Sequence, residues 1–411
     1  MNITFFTENY YKGGLDTFLI SLVNNWLHSE DRIAIICNHS HPGLETYRRK
    51  IRRRVSIYEH HIPTHSELHR SVKWKGKIGL FVKLVIFILS YPLFFYNVVA
   101  IRKLLLNNKP DRLVIVNGGY PGGSSCRAAA ISWGLLTKRR SIHNFHNLAV
   151  PSRKIVGFVD NFIDHFVAKY TKVFVTVSEV CANSLKNRSA LKKTNVHIIF
   201  NGIDASNNND FLIKKEKNLR EELSIEADSK ICLMLGTYEP RKGHYFLLKA
   251  FRRVVDVLPS AHLVICGYGS PDEIEKVKIV RDSLSLQANV HLFGFREDVP
   301  WLLKQSDVLA VPSQAFESFG LIIVEAMSFK VPVVATRVGG IPEVLRDGHG
   351  GYCVDSRDIE GFANYLILFL QDDRFCEEQG IKGFKRYQTL FTAQRMAKEY
   401  AFLIRGDVTK C

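Results

Sequence analysis

Two carboxylates with seven residues between them, Glu317 and Glu325, stand at the entrance to and inside the apolar run "FESFGLIIVEAM" (Phe316 to Met327). A glutamate within an apolar helix is costly to bury unless it accepts hydrogen bonds, and a ribose diol supplies two donors in suitable geometry. Glu317, in the loop before the helix, is placed to bind hydroxyls of a second sugar ring. Between the two, the backbone N–H groups of Phe319, Gly320 and Leu321 fall at a helix N-terminus, where unpaired donors attract phosphate. Upstream, "GTYEPRKGH" sets Arg241 and Lys242 on a loop after a strand, where either cation could neutralise a diphosphate. This set suits a diphosphate with a nucleoside at one end and a sugar at the other. The competing reading makes Glu317 a helix cap and Glu325 an ion-pair partner, and an isolated E-x7-E would suit that reading better.

The elements that must position these residues alternate short β-branched runs with longer helical patterns, as in parallel sheets wrapped by helices. "MNITFFT", "RIAIICN", "RLVIVNG", "RRSIHNF", "KVFVTVS" and "NVHIIFN" read as strands of a first half, and "KICLMLG", "AHLVICG", "NVHLFGF", "DVLAVPS", "VPVVATR" and "GGYCVD" as strands of a second. The Asn-rich stretch Asn201 to Asn218 reads as a linker. The expected organisation is α/β, with domains 1–205 and 206–385 and a terminal helical segment, 386–411, that includes "YQTLFTAQRMAKEYAFLI" and packs back on the first domain. Ligands of open α/β sheets bind at strand carboxyl ends, where the loops named above fall.

With 411 residues, 46% of them hydrophobic and 23% charged, the chain can bury sizeable cores and is not disordered. Its eight cysteines form no C-x-x-C pair or metal-ligand spacing, and most are expected to be reduced core thiols. The start "MNITFFTENYYKGG" lacks the pattern of a secretory signal, so the chain is expected to stay on the cytoplasmic side. The formal charge is +16, and Glu45 to Lys109 hold 14 Lys and Arg against 3 acids. That region contains the apolar run Ile78 to Ile101, long enough to span a bilayer but interrupted by Lys83 and Pro92. Peripheral binding to an anionic membrane surface is one reading, and a core helix pair bent at Pro92 is the other. No nucleic-acid module accompanies the charge, so nucleic acid is not an expected partner.

Taken in order, "LGTYEPRKGHYFLLKAF", "LVICGYG", "VHLFGFREDVPWLLKQSDVLAVPS" and "ESFGLIIVEAMSFKVPVVATRVGGIPEVLRDGHGG" resemble the C-terminal domain of retaining nucleotide-sugar glycosyltransferases of family 4. The first half matches more thinly, through Gly13-Gly14, "IHNFHN", "VFVTVSE" and "VHIIFNGID". The resemblance implies the GT-B fold, two facing Rossmann-like domains with a cleft between them. It also implies residue roles: Glu325 on the donor ribose, Glu317 on hydroxyls of the donor sugar, and Lys242 on the diphosphate. Gly13-Gly14 and Gly339-Gly340 become turns that permit close approach. Many members carry an arginine where this chain has Thr237, and Arg241 could replace that charge. The family places a histidine near the anomeric centre. His143 and His146 both occur in "SIHNFHNLAV", and His146, at the strand's exit, is preferred for that role.

The implied reaction is sugar transfer with retention of configuration, from a nucleotide-diphosphate sugar (UDP first, GDP second) to a hydroxyl of a glycan acceptor. That acceptor is expected to be lipid-linked and to belong to lipopolysaccharide, O-antigen or capsule biosynthesis. No D-x-D stands at a strand end, so no metal and no cofactor is expected, and "QDDR" (371–374) reads as a solvated loop. The enzyme would sit peripherally on the inner face of the cytoplasmic membrane. A nucleotide-sugar epimerase of the same architecture and a noncatalytic nucleotide-sugar or membrane-surface binding protein are the alternatives. A dinucleotide oxidoreductase is disfavoured, because "CGYGSP" lacks the third glycine of the fingerprint.

Overall fold

The computed structural model describes residues 1–11, 13–72, 76–153, 156–204 and 218–406. Most of the expected linker, the break at 205/206 and Cys411 therefore lie outside the described residues. The chain forms two compact units, Met1–Phe200 with Ala393–Cys411, and Asn201–Thr392.

The first unit is built on seven parallel strands: β1 (Asn2–Thr7), β2 (Arg32–Asn38), β3 (Val55–His60), β4 (Arg112–Asn117), β5 (Ser141–Phe145), β6 (Thr171–Thr176) and β7 (Val196–Ile198). Their order is β3-β2-β1-β4-β5-β6-β7. Central strands such as β1, β4 and β5 are covered on both faces, which is why they read as unbroken apolar runs. β3, at the edge, alternates between more and less exposed residues in "VSIYEH" and was not expected from the sequence. An edge strand carries less apolar character and more charge, so its signal is diluted.

The second unit has six parallel strands: β8 (Lys230–Leu235), β9 (Ala261–Cys266), β10 (Val290–Phe293), β11 (Val308–Val311), β12 (Val333–Thr336) and β13 (Gly351–Val354). Their order is β10-β9-β8-β11-β12-β13. Each sheet grows in one direction from its first strand and then reverses, so the switch points lie between β1 and β4 and between β8 and β11. At such a point the flanking loops diverge and leave room at the strand carboxyl ends.

The expected terminal helix is broken in two. Asp373–Leu390 is one helix and Ala393–Arg405 another, because Phe391 and Thr392 leave helical geometry to pair with Ile203 through its N–H to Phe391 O bond (3.0 Å) and a bridge to Thr392. The last helix contributes Met396, Ala397, Tyr400, Ala401 and Ile404 to the first unit's core, beside Phe18, Leu19 and Leu22 of the Gly14–Asn24 helix. Asn144 donates to the Tyr400 hydroxyl (2.6 Å), and Arg405 pairs with the buried Asp31 (3.0 Å). "QDDR" is likewise no loop: Asp372 caps the Asp373–Leu390 helix through Phe375 N (2.9 Å), and Asp373 pairs with Lys230.

The Ile78 to Ile101 run lies in one 33-residue helix, Gly76–Asn108, with Pro92 inside it. A single helix thus stands where the second of the two readings had a core helix pair bent at Pro92. Phe94, Asn97, Ile101 and Leu105 form the buried stripe, while Leu80 (71% exposed), Phe81, Leu84, Ile88 (61%), Phe95 and Val99 face solvent. By length and composition this helix could cross a membrane. Of the cysteines described, all seven are free, and all but Cys376 are buried.

Candidate functional site

The expected site residues of the second unit gather at the carboxyl ends of β8, β11 and β12. The loop after β8 is drawn against the loop after β11 by a glycine: Gly243 has φ +82, and a Cβ there would lie 1.9 Å from Pro312 O. Gln314 N also donates to Arg241 O (2.7 Å). This contact carries Lys242 to Glu317, whose Oε2 accepts from Lys242 Nζ at 2.6 Å, both side chains being largely buried. A second glycine fixes the other side of the Glu317 loop. Gly339 has φ +56, and a Cβ there would sit 2.0 Å from Glu317 O, while Gly340 N donates to that same oxygen (2.8 Å). The Gly339-Gly340 turn thus shapes the backbone that presents Glu317.

Gly320 stands in left-handed geometry (φ 87) as the N-cap of the Leu321–Ser328 helix and makes no side-chain cap bond. Only glycine adopts that geometry without strain, so the helix starts abruptly after Phe319. Glu325 lies in the second turn. Its residue keeps some solvent contact, but the protein crowds around its carboxyl group, and that burial pushes it up to about 7. Among the described residues its carboxylate takes part in no ion pair, in contrast to the pairing reading.

Arg241 is tied by Nε to Glu239 Oε2 (2.6 Å) and lies over the Phe316 ring at 5.4 Å. Thr237, at the family's arginine position, donates its hydroxyl to Glu239 Oε1 (2.8 Å). Burial alone would raise the Glu239 carboxyl, yet the bonds from Arg241 and Thr237 hold it below its usual value. Arg241 is therefore compensated by Glu239, and Lys242 by Glu317. Among the described residues, no group of three or more His, Cys, Asp or Glu is arranged to hold a metal ion.

The first unit holds the other expected residues. Gly13 and Gly14 form an exposed turn at the start of the Gly14–Asn24 helix, and a Cβ on Gly13 would meet nothing within 4 Å. His143 lies within β5, wholly buried between Tyr120 and Phe174 rings. His146 follows the strand's end, with its ring against Phe18 at 4.2 Å and its N–H bonded to Asn117 O (3.1 Å). Neither of its ring nitrogens has a hydrogen-bond partner, and burial pulls it down to about 3, so the ring is neutral at physiological pH.

In the second unit, residues missed by sequence reasoning also line the strand carboxyl ends. Tyr268 and Phe295, which follow β9 and β10, stack at 4.2 Å and 11° while remaining 53% and 50% exposed. An exposed stacked pair at strand carboxyl ends offers a flat apolar surface to a ligand. The signal was an aromatic directly after glycine in "CGYG" and "FGF". Glu239, which braces Arg241, was missed because nothing in its spacing marks it.

Two family models match the chain in succession: Glycosyltransferase Family 4 over residues 12–207 and Glycosyl transferases group 1 over residues 215–386. The chain belongs to the family 4 glycosyltransferases. Among curated relatives, the N-acetyl-alpha-D-glucosaminyl L-malate synthase of Bacillus anthracis is 30% identical over 44% of this chain and 47% of its own length. The UDP-Gal:alpha-D-GlcNAc-diphosphoundecaprenol alpha-1,3-galactosyltransferase of Escherichia coli is 26% identical over 59% of this chain and 65% of its own. The chain thus matches between about half and two thirds of these relatives' lengths. The Anabaena HepE structure in complex with UDP and glucose superposes over 99% of this chain and 100% of that one, with a TM-score of 0.72 at 18% identity. That likeness establishes the fold of this family 4 member as GT-B, in agreement with the strand orders above.

Proposed function

We propose that this family 4 member transfers a sugar, with retention of configuration, from a nucleotide-diphosphate sugar to a hydroxyl of a lipid-linked glycan acceptor. The observation that carries the reading is the Lys242–Glu317 contact of 2.6 Å beside the Gly320 helix start, at the β8/β11 switch point. A cation, a carboxylate and an uncapped helix N-terminus at one place suit a diphosphate with a hydroxyl-rich ring attached. In this reading the donor phosphates draw Lys242 away from Glu317 and free that carboxylate for the sugar's hydroxyls. Glu325 accepts from the ribose diol, and the Tyr268–Phe295 pair offers a stacking surface to the base. Arg241 and the helix N-terminus share the charge that develops on the leaving diphosphate, with no divalent ion invoked. The acceptor oxygen bonds to the anomeric carbon on the face from which the phosphate departs, and its proton passes to the departing phosphate oxygen. In this reading His146, whose ring is neutral, and the Gly13-Gly14 turn keep the sugar-side roles that the family resemblance implies.

UDP is the favoured nucleotide, supported by the HepE complex, and GDP is second. The Escherichia coli relative's diphosphoundecaprenol-linked acceptor supports a lipid carrier and a place in bacterial surface polysaccharide synthesis. The exposed apolar face of the Gly76–Asn108 helix, within the most basic part of the chain, supports peripheral attachment to the anionic inner face of the cytoplasmic membrane. Purified protein incubated with a panel of labelled nucleotide sugars and lipid extract should label a lipid-soluble product, with K242A and E325Q losing that labelling. Release of an altered nucleotide sugar without any acceptor would identify an epimerase instead. Nuclear magnetic resonance of the product decides retention, since an inverted anomer refutes it.

A further inference from the structure

The first unit contains a cavity of about 260 Å³ that the site above does not use. Its walls come from loops after β4 and β5 (Pro121, Gly122, Val150, Pro151), from Ser124 and Arg127 at the start of the Ser124–Thr137 helix, and from Arg153 and Arg188. Ser90, Tyr91 and Phe94 of the Gly76–Asn108 helix and Ser66 of the His65–Ser71 helix also line it. The chemistry of these walls is unusual for a structural void.

Arg127 is 7% exposed and Arg188 1%. Arg188 is well anchored: its Nε bonds Asp164 Oδ2 at 2.5 Å and its Nη1 bonds Val150 O at 3.0 Å. Its Nη2 is buried with no partner. Arg127 is worse served. Its Nη1 stands 3.6 Å from Asp164 Oδ1, too far for a hydrogen bond, and that oxygen already accepts from Tyr120 (2.7 Å). Both Nε and Nη1 of Arg127, and the Ser124 hydroxyl, are buried without partners. The second acid, Asp160, is taken up by the fork of Arg153, at 3.1 and 2.8 Å. Three guanidinium groups thus meet two carboxylates, with donors on Arg127, Arg188 and Ser124 left over.

A buried guanidinium with unmet donors is costly, and such groups persist where a ligand or ion completes them. An anion is the complement. The helix that closes the cavity identifies the anion's carrier. Arg127 lies over Phe94 at 5.6 Å, Arg153 lies over Phe87 and Tyr91 at 5.1 and 5.2 Å, and Arg153 donates to the Tyr91 hydroxyl (2.8 Å). The same helix presents its unpartnered apolar side chains to solvent around Leu84, Ile88 and Phe95.

We propose that this arginine cavity binds the phosphate or diphosphate head of an amphiphile whose hydrocarbon chain runs along the exposed face of the Gly76–Asn108 helix. Its identification with the lipid-linked acceptor rests on the function proposed above; the binding of an amphiphilic phosphate does not.

The test is calorimetric titration of the full chain, without nucleotide, using farnesyl diphosphate, inorganic pyrophosphate and farnesol. Farnesyl diphosphate should bind at least about 10-fold more tightly than pyrophosphate, and farnesol should not bind. R127Q should weaken farnesyl diphosphate by about 10-fold or more, the usual scale for a charged hydrogen bond. S66W, which fills the cavity from a part-exposed wall without touching an arginine, should weaken it equally and serves if R127Q does not fold. Undiminished binding to either folded variant overturns the site, and pyrophosphate binding as tightly as farnesyl diphosphate overturns the amphiphile. Because no nucleotide is present, the donor reading stands or falls separately, on the turnover of E325Q.

Discussion

Glu325 holds a proton near neutral pH because burial raises its carboxyl to about 7 from the ordinary 4.5. Between those values the folded chain binds a proton that the unfolded chain releases, so stability falls as pH rises from about 4.5 to about 7 and is level above. Because the residue keeps some solvent contact, the penalty is on the order of 1–3 kcal/mol. E325Q should remove that slope in urea unfolding and gain stability at pH 8, and an unchanged slope would assign it to other groups. A ribose diol donating to this carboxylate favours its ionised form, so UDP affinity should rise with pH up to about 7 and then level off. Lys242 makes a different prediction. K242A deletes a cation from the phosphates and leaves Glu317 unpaired, so kcat/KM should fall by about 100- to 1,000-fold, the scale of one lost electrostatic contact in a transition state. Glu317 and Glu325 were legible as acids at the entrance to and inside an apolar run, and Lys242 as a cation in a glycine-bounded loop after a strand. The pairing of Lys242 with Glu317 was not legible, since it depends on two loops 75 residues apart in the chain meeting directly, through Gly243 against Pro312 O and Gln314 N on Arg241 O.

Glycine 339 shows what an element must do for such a contact. G339A places a methyl group against Glu317 O in a backbone conformation that costs a side chain about 1–3 kcal/mol, so both stability and turnover should drop. G13A is the control, since φ at Gly13 is 171 and nothing lies within 4 Å. It should fold normally, and a loss of turnover there would report contact with substrate alone. Twelve strands of the two sheets could be read as apolar runs, because parallel strands buried on both faces carry that pattern. β3 escaped because an edge strand alternates, and the break at Phe391–Thr392 escaped because it depends on a distant partner, Ile203. The Gly76–Asn108 helix was legible as apolar but not as exposed: apolar composition all round is shared by core helices and by helices that meet lipid.

For the whole molecule, a charge of +16 and one exposed apolar helix predict two separable components of vesicle binding. The electrostatic one, about 1 kcal/mol per basic residue near the surface, should weaken as salt shortens the screening length. The apolar one should survive salt and vanish in L84E/I88E, whose side chains are exposed, so melting temperature should not move. Flotation with anionic and neutral liposomes at low and high salt reads both, and retention of the double variant on vesicles would exclude this helix as the contact.

The Ala393–Arg405 helix completes the core of a unit whose other parts precede it by some two hundred residues. During synthesis the ribosome therefore releases Phe18, Leu19 and Asn144 long before Tyr400 arrives to cover them, while Asn201–Thr392 emerges as one continuous stretch. The second unit can consolidate first, and a nascent chain arrested before Ala393 would display unsealed apolar surface to chaperones.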